Sequence, residues 1–399
     1  MTTTFVKLGE VATLVTKGTT PTTIGHQFVE EGISFLRAEN INGGYVSVET
    51  AEKRITLECH ETLGRSQLQA GDLLITIAGS VGRVGIIPPK PCLANCNQAV
   101  SIVRLKPDVF DLQFLCFYIG SDSVQGRFRQ QGTTATITNV SLAQIRDLEV
   151  PLLPITEQRR IVDLLSRAEG IVRLRREAEQ CAAELIPALF LDLFGDPATN
   201  PKGWPVRKVS DFVSRFEGGK NIQAGSEGGS PYRILKVSAA TSGIYRESES
   251  KPSPDGYIPP ASHIVCAGDM LFSRANTEEL VGATAIVERT DGKTLLPDKL
   301  WRFVWNEPVE SAYMHALFQS GHVRRELGKL SSGTSASMRN ISQAKLYGLS
   351  LPIAPYPNQK DFAERSAMIR SIQSQQSAAT AKAQAAFDAL LARVFGGTT

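Results

Sequence analysis

An internal repeat, with a period of half the chain, is the strongest constraint that this sequence places on its fold. Several segments of the 399-residue chain return 201 positions later, as Gly132 does at Gly333. A chain of this length holds two or three domains of about 150 residues, so the repeat predicts two copies of one structural unit. The paired segments are Gly132–Thr134 and Gly333–Ser335, Asn139–Ser141 and Asn340–Ser342, Pro151 and Pro352, Pro154 and Pro355, Gln158 and Gln359, and Phe194–Gly195 and Phe395–Gly396.

Each copy begins with a segment of roughly 150 residues, the usual size of a domain, that is rich in glycine, threonine and β-branched runs. Apolar residues at helical spacing predict helices over Leu112–Phe128 and Ser311–Leu327, and shorter helical patterns open at Lys7 and Lys208. Together with the strands below, they predict a compact α+β domain in each copy. Short apolar runs bounded by turn signals predict buried strands at Leu73–Ala78, Val100–Leu105, Met270–Ser273 and Leu300–Trp305.

The second part of each copy is almost free of glycine and predicts one long helix. We expect these helices over Thr156–Leu193, with Thr156 as N-cap, and over Asn358–Val394, with a kink caused by Pro187. Mostly apolar residues that recur at alternating spacings of three and four positions predict that the helices pack on each other along narrow stripes. The stripes are Ile161, Leu164, Ala168, Ile171, Arg175, Ala178, Ala182, Leu185 and Leu189, and Phe362, Arg365, Ile369, Ile372, Gln376, Ala379, Ala383, Ala386 and Leu390.

Composition excludes several classes of protein. With 42% hydrophobic and 21% charged residues, the chain is not disordered, and a net charge of +3 is compatible with an anionic partner without requiring one. No apolar run is long enough to span a membrane and no secretory signal is recognisable, so we expect the cytoplasm. The six cysteines predict reduced, buried thiols, and the one close pair, Cys92 and Cys96, lacks the partners of a zinc site.

Sequence signatures of catalysis are missing. The chain has neither an Asn-Pro-Pro-aromatic tetrapeptide nor a nucleotide-binding P-loop, and its histidines show no metal-binding spacing. The glycine-rich segment Gly79–Gly85 resembles a phosphate loop, but its counterpart Asn276–Gly282 keeps only the last glycine and adds two carboxylates. We therefore interpret both as turns and nominate no catalytic or metal site.

A repeated segment gives the chain a family resemblance. It spans Leu148–Ile161, leads into the first long helix, and returns as Leu349–Lys360. The whole chain resembles the DNA-specificity subunit of a type I restriction-modification system. The resemblance implies target recognition domains at 1–155 and 201–356, each reading half of a split duplex DNA site. It also implies an antiparallel coiled-coil spacer formed by the helices within 156–200 and 357–399. Asn358 departs from the pattern, because the first copy has Glu157 at that position.

The resemblance also implies the chemistry and the partners of the chain. It implies a non-catalytic protein of host defence whose helices dock two modification (methyltransferase) subunits, with restriction subunits in the full complex. No cofactor is then expected in this chain, since S-adenosylmethionine, ATP and magnesium would bind to the partner subunits. Two alternatives stay open: an orphan or phage-borne specificity protein that redirects a host complex, and a stand-alone DNA methyltransferase or nuclease.

Residues that contact DNA are predicted from side-chain chemistry, because base edges are read by Arg, Lys, Asn and Gln while Ser and Thr bind phosphates. Matching positions in the two copies favour framework or phosphate contacts, whereas differing ones, such as Lys17–Thr20 against Phe216–Lys220, favour sequence reading. The candidates are Lys17, Thr19, Thr20, Arg127, Arg129, Gln130, Thr133 and Thr134 in the first copy, and Lys220, Asn221, Gln223, Arg274, Asn276, Arg324, Arg325, Lys329, Thr334 and Arg339 in the second.

Overall fold

A computed structural model describes residues 4–90, 93–130, 139–335 and 338–396. The chain divides into two compact units: Met1–Arg176 with Ala378–Thr399, and Glu177–Ser377. Both units mix helices and sheets, which confirms the α+β class. Each long helical segment crosses the boundary, so each unit contains part of both segments.

The first unit is built around a four-stranded antiparallel sheet of order β2-β8-β5-β6. A second sheet has the order β4-β3-β7, and β1 pairs with β9. The strands are β1 (Phe5–Lys7), β2 (Ala12–Lys17), β3 (Ile33–Leu36), β4 (Lys53–Ile55), β5 (Leu73–Thr76), β6 (Val84–Ile86), β7 (Ala94–Cys96), β8 (Val100–Leu105) and β9 (Glu149–Pro151). The α-helices are α1 (Leu8–Val11), α2 (Leu57–Thr62), α3 (Leu112–Gly120), α4 (Asp122–Gln130), α5 (Leu142–Arg146) and α6 (Ile155–Ala183), which continues into the second unit.

The second unit repeats these sheets with equivalent strands. Its four-stranded sheet has the order β11-β18-β14-β16, beside β13-β12-β17, the pair β10-β21 and a small sheet β15-β20-β19. The strands are β10 (Val206–Lys208), β11 (Val213–Gly218), β12 (Arg233–Leu235), β13 (Ser250–Pro252), β14 (Met270–Ser273), β15 (Ala275–Asn276), β16 (Thr284–Ile286), β17 (Thr294–Leu295), β18 (Leu300–Trp305), β19 (Ser332–Ser335), β20 (Met338–Asn340) and β21 (Ser350–Pro352). The helices are α7 (Leu185–Phe194), α8 (Ser238–Thr241), α9 (Ser311–Gln319), α10 (Gly321–Leu330), α11 (Gln343–Tyr347) and α12 (Tyr356–Phe395).

The strand predictions are confirmed, whereas the helical patterns opening at Lys7 and Lys208 are each confirmed only as a single turn. After Lys7 the helix α1 is a single turn, and after Lys208 there is only a 3₁₀ turn over Val209–Asp211. The chain then enters β2 and β11, which pair with β8 and β18 across a bulge. Pairing along a central strand overrides the local helical spacing.

The beginnings of the long helices also differ from the prediction. Helix α6 starts at Ile155 and α12 at Tyr356, so Thr156 and Asn358 lie inside helices and cap neither. The break predicted from Pro187 is confirmed: α6 ends at Ala183 and α7 begins at Leu185. Proline lacks the amide that would bond four residues back, which explains an interruption one turn ahead of it.

The predicted helical stripes were partly wrong. On α6 the residues Ile161, Leu165 and Val172 are buried, whereas Leu164 and Ile171 are 47% and 54% exposed. Among the predicted stripe residues Ala182 is buried, and Arg175, Ala178 and Leu185 are exposed. The core of the first unit, as well as the facing helix, determines which residues of α6 are buried. The spacing of apolar residues in the sequence does not reveal the contact with that core.

On α12 the positions Phe362, Ile369, Gln376, Ala383 and Leu390 are buried or half-buried as predicted. The same face also carries polar residues, among them Ser366, Gln373 and Thr380, and the predicted Arg365, Ile372 and Ala386 are exposed. The Gln373 amide donates to the Ala182 carbonyl at 2.7 Å in the second unit, and Arg176 donates to the Gln384 side chain at 2.8 Å in the first. Hydrogen bonds therefore add to the apolar contacts of this face, and hydropathy does not reveal them.

Each long helical segment ends inside the unit that belongs to the other copy of the repeat. Phe395, at the end of α12, is buried in the first unit with its ring centroid 5.7 Å from Phe114 and 5.4 Å from Tyr118. Phe194, at the end of α7, is buried in the second unit, 4.8 Å from Tyr313 and 5.6 Å from Phe362. The repeated Phe-Gly pairs are thus core residues, each contributed by the other copy.

A buried glutamine joins each helix start to its own domain. Gln158 accepts a hydrogen bond from the Asp111 amide at 2.8 Å and donates to the Val109 and Leu153 carbonyls. Gln359 accepts from the Glu310 amide at 3.2 Å and donates to the Ala354 carbonyl at 2.7 Å. Both side chains are almost completely buried, and their bonds satisfy backbone groups that water does not reach.

The cysteine prediction holds for only part of the set. Cys59 and Cys96 are buried, and burial raises the pKa of both thiols, but Cys181 and Cys266 are exposed. Cys92 lies outside the described residues. Within those residues no His, Cys, Asp or Glu cluster could hold a metal, and no helix is long and apolar enough to cross a membrane.

We predict that Phe395→Ala destabilises the first unit by about 3–5 kcal/mol, the usual cost of removing a buried phenylalanine. Hydrogen exchange followed by mass spectrometry would show faster opening of the β2-β8-β5-β6 sheet. The matched variant Phe194→Ala should instead open the β11-β18-β14-β16 sheet. Equal opening of both sheets by either variant would contradict these assignments.

Candidate nucleic-acid interface

A half-buried arginine on the central strand binds a buried carboxylate in the first unit. Arg104 on β8 donates from Nε and Nη2 to the two oxygens of Asp72, at 2.7 and 2.8 Å. Asp72 is completely buried and also accepts from the Gln69 amide at 2.7 Å. A bidentate pair with this geometry satisfies the buried charge and fixes the turn before β5.

In the second unit an arginine two positions earlier in the equivalent strand binds two carboxylates. Arg302 on β18 donates to Glu217 at 2.6 Å and to Asp269 at 3.1 Å. Desolvation raises the pKa of Glu217, but hydrogen bonds from Arg302 and Arg215 outweigh it and hold that pKa below its ordinary value. Because Glu217 precedes the glycines that open a candidate loop, this network fixes where the loop leaves the sheet.

The first candidate group, Lys17–Thr20, lies at the end of β2. Thr19 is held by its amide, which donates to the Cys96 carbonyl at 3.1 Å, and its hydroxyl accepts from Arg65 at 3.0 Å. The Thr20 hydroxyl bonds to the Gln98 side chain, and Lys17 is exposed. Arg65 and Gln98 therefore join this group. They were missed because they lie far away in sequence and in no repeated motif.

Gly18 explains the close approach at this point. A Cβ atom added to it would lie 2.0 Å from the Cys96 carbonyl oxygen, so only glycine lets the chain pass β7 here.

The second group of the first unit lies on the last turns of α4. Arg129 and Gln130 are exposed, while Arg127 lines a cavity of about 460 Å³ with Lys7 and Asp147. No contact among the described residues joins this group to Lys17–Thr20. Thr133 and Thr134 lie outside the described residues.

In the second unit the small sheet β15-β20-β19 collects candidate residues from distant parts of the sequence. Asn276 on β15 is paired with Arg339 on β20. Arg274 lies 5.5 Å from the Trp301 ring centroid, over its face, and its Nε donates to the Asp298 carbonyl at 2.7 Å. The structure thus places Asn276 and Arg339 on one small sheet, with Arg274 directly before its strand β15.

Arg324 on α10 and Arg339 meet the loop Asn276–Gly282. Arg324 donates to the Glu279 carbonyl at 2.6 Å, and Arg339 forms an ion pair with Glu278 at 3.2 Å and donates to the Gly333 carbonyl. The two carboxylates noticed in the sequence thus lie at the candidate interface.

The remaining candidates of the second unit are more dispersed. Arg325 is exposed, Lys329 pairs with Glu326 at 2.7 Å, and Thr334 lies in β19, with its side chain outside the described set. Lys220, Asn221 and Gln223 are exposed on the loop after β11. No contact described for that loop joins it to the β15-β20-β19 group.

The glycine segment after β5 is a turn, as predicted. Gly79 and Gly82 have φ of +74° and +87°, and the Gly82 amide donates to the Thr76 carbonyl at 2.9 Å. A Cβ atom on Gly82 would lie 2.5 Å from the Gln125 side chain, so the loop packs against α4.

Comparison with known proteins gives a consistent result. Residues 2–180 match the family model of the type I restriction modification DNA specificity domain. The chain is 29% identical over 199 residues to the type I restriction enzyme EcoEI specificity subunit of Escherichia coli, covering 48% of this chain and 33% of that protein. It is 22% identical over 383 residues to the MjaVIII specificity subunit of Methanocaldococcus jannaschii, covering 90% and 84%. The chain thus spans about a third of the length of the first relative.

Two solved structures are similar along almost the whole chain. One, from a study of complex assembly and conformational transition of the type I R-M system, aligns with a TM-score of 0.63 at 16% identity and covers 100% of this chain and 98% of its own. The other, the type I restriction-modification S subunit from M. genitalium, has a TM-score of 0.54 at 12% identity and covers 97% and 94%. At these identities the likeness establishes the fold.

We predict that Glu217 makes the stability of the second unit sensitive to acid. Since its pKa is lowered in the folded chain, its contribution is complete above the ordinary carboxyl value of 4.5 and is lost as the pH falls through the lower folded value. Glu217→Gln should cost about 1–3 kcal/mol at neutral pH and remove part of the acid dependence of urea unfolding. The control is Glu227→Gln, at an exposed ion pair with Arg233, which should change neither the free energy of unfolding at neutral pH nor its acid dependence. An unchanged acid profile in Glu217→Gln would contradict this prediction.

Proposed function

Residues 2–180 belong to the family of type I restriction modification DNA specificity domains, and from this premise we propose that the chain is the DNA-specificity subunit of a type I restriction-modification complex. The observation that carries the proposal is the pair of units with the same sheets but different polar loops. A shared scaffold with different side chains at its loops suits two domains that read different halves of one split target.

The proposed reading surface of each unit consists of the candidate groups described above. In the first unit Lys17, Thr19, Thr20 and Arg65 combine a cation with hydroxyl groups, and in the second Arg274, Asn276 and Arg339 combine the side chains that recognise guanine and adenine in the major groove. Phosphate contacts would come from the exposed Arg129 and Lys220. Chemistry would reside elsewhere: this chain would be non-catalytic and hold no cofactor, with S-adenosylmethionine, ATP and magnesium on partner subunits.

The long helices are proposed as both spacer and docking surface. Helix α12 has 40 residues, or about 60 Å at 1.5 Å per residue, long enough for an antiparallel spacer with α6 and α7. Exposed apolar residues support docking, because Leu164, Ile171 and Leu174 on α6 are each about half exposed. Ile372, the repeat equivalent of Ile171, is 48% exposed on α12, so each unit offers a similar apolar position. Two equivalent positions suit two modification subunits.

A domain exchange tests the reading function. Replacing residues 1–150 by the equivalent part of another specificity subunit should change one half of the methylated motif, because the second unit keeps its own core and loops. The donor should carry aromatic residues where Phe114 and Tyr118 receive Phe395. Methylome sequencing of cells that express the chimera with a modification subunit gives the motif. A change in both halves, or no sequence-specific methylation with the unmodified chain, would overturn the proposal.

Substitution on α6 tests docking. Ile171→Asp places an unpaired charge in the proposed interface and should weaken copurification with a co-expressed modification subunit at least tenfold, the effect of losing about 1.4 kcal/mol. Ser166→Asp adds the same charge at an exposed position on another face of α6 and should leave copurification unchanged. Equal behaviour of the two variants would show that the subunit docks elsewhere.

A further inference from the structure

The loop Asn276–Gly282 of the second unit covers cationic groups that lie at the proposed DNA interface. The Glu278 carboxylate is 3.2 Å from Nη2 of Arg339, and the Glu279 backbone carbonyl accepts a hydrogen bond of 2.6 Å from Arg324. Both guanidinium groups are therefore bound to the protein itself.

These guanidinium groups are nevertheless incompletely satisfied. Nη1 of Arg324 and Nε of Arg339 are buried and have no hydrogen-bond partner among the residues that the structure describes. A guanidinium carries five N–H donors, and a buried donor without an acceptor is unfavourable. Part of the hydrogen-bonding capacity of each guanidinium is therefore unused in the closed arrangement.

The first unit has no such carboxylate cover in its equivalent loop. There the segment Gly79–Gly85 contains no acidic residue, and Arg83 donates to the Asn42 side chain at 3.1 Å. The acidic pair is therefore a feature of the second unit and not of the shared scaffold.

The ion pair is held loosely enough to exchange. The Glu278 side chain is 59% exposed and that of Arg339 is 28% exposed, so water screens their attraction. By contrast, the ion pairs of Arg302 with Glu217 and Asp269 are almost buried, with side-chain exposures of 12% to 17%. A phosphate or base edge can replace the Glu278 carboxylate without disturbing the buried network.

We propose that Glu278 is an autoinhibitory contact that occupies Arg339 until duplex DNA replaces it. The inference rests on the proposed function, since it assigns a regulatory role to one residue of the same interface. While the pair is closed, Arg339 contributes little to electrostatic capture of DNA, and the carboxylate repels phosphates that approach it. The first unit, whose equivalent loop Gly79–Gly85 contains no acidic residue, then makes the earlier contact with DNA.

The test compares two neighbouring glutamates with equal charge. In the complex of this chain with its modification subunit, Glu278→Gln should tighten binding to a duplex of random sequence roughly twofold to fivefold more than Glu279→Gln does, as expected for releasing one exposed ion pair. Both variants change the net charge by the same amount, so the long-range electrostatic effect on DNA binding is the same in the two. They differ because only Glu278 pairs with Arg339 through its side chain.

A double-mutant cycle assigns the effect to Arg339. In the background of Arg339→Met, Glu278→Gln should have only the small effect of Glu279→Gln. The proposal is overturned if the two glutamate variants behave alike, if Glu278→Gln weakens binding, or if its effect persists without Arg339. If the unmodified complex binds no duplex at all, the proposed function fails instead, and that outcome is distinguishable from these three.

Discussion

The burial of an aromatic residue at the end of each long helical segment is the constraint on which the rest of the structure depends. Phe194 and Phe395 end their helices inside the core of the unit that belongs to the other copy, while Gln158 and Gln359 attach the beginnings of those helices to their own domains. A helix fastened at both ends in well-packed cores cannot rotate or slide without breaking contacts at one of them. The polar inner face of α12 is tolerated because its ends provide the apolar contacts.

A fixed scaffold leaves the loops free to differ. On each central strand an arginine, Arg104 or Arg302, binds carboxylates of neighbouring segments of the same unit. Because these ion pairs fix where those segments join the sheet, the position of the loops does not depend on the loop residues themselves. Within the described residues, the second unit carries the Glu278 contact beside its β15-β20-β19 sheet. The two units can thus present different chemistry on the same framework, as readers of two different half-sites would require.

The sequence predicted the duplication, the main strands and the existence of two long helices, because these depend on local periodicity and on a repeat that needs no structural knowledge. It did not predict which face of α6 is buried, since Leu165 packs against a domain core that periodicity does not reveal. At the candidate interface, Lys17, Thr19 and Thr20 lie together as their sequence proximity suggests. Arg65, Gln98 and Glu278 join these groups through contacts between distant segments, for which the sequence carries no local signal.

The division of the chain also imposes an order on folding during synthesis. The second unit is continuous, Glu177–Ser377, whereas the first requires Ala378–Thr399 to receive Phe395 in its core. At a usual elongation rate of about 5–20 residues per second, the ribosome needs roughly 10–40 s to make the intervening segment. Throughout that interval the first unit has the site that Phe395 fills open to solvent, although its own sheets are already synthesised. The unit translated first is therefore completed last, and a nascent chain passes through a stage in which this apolar site needs protection from other chains.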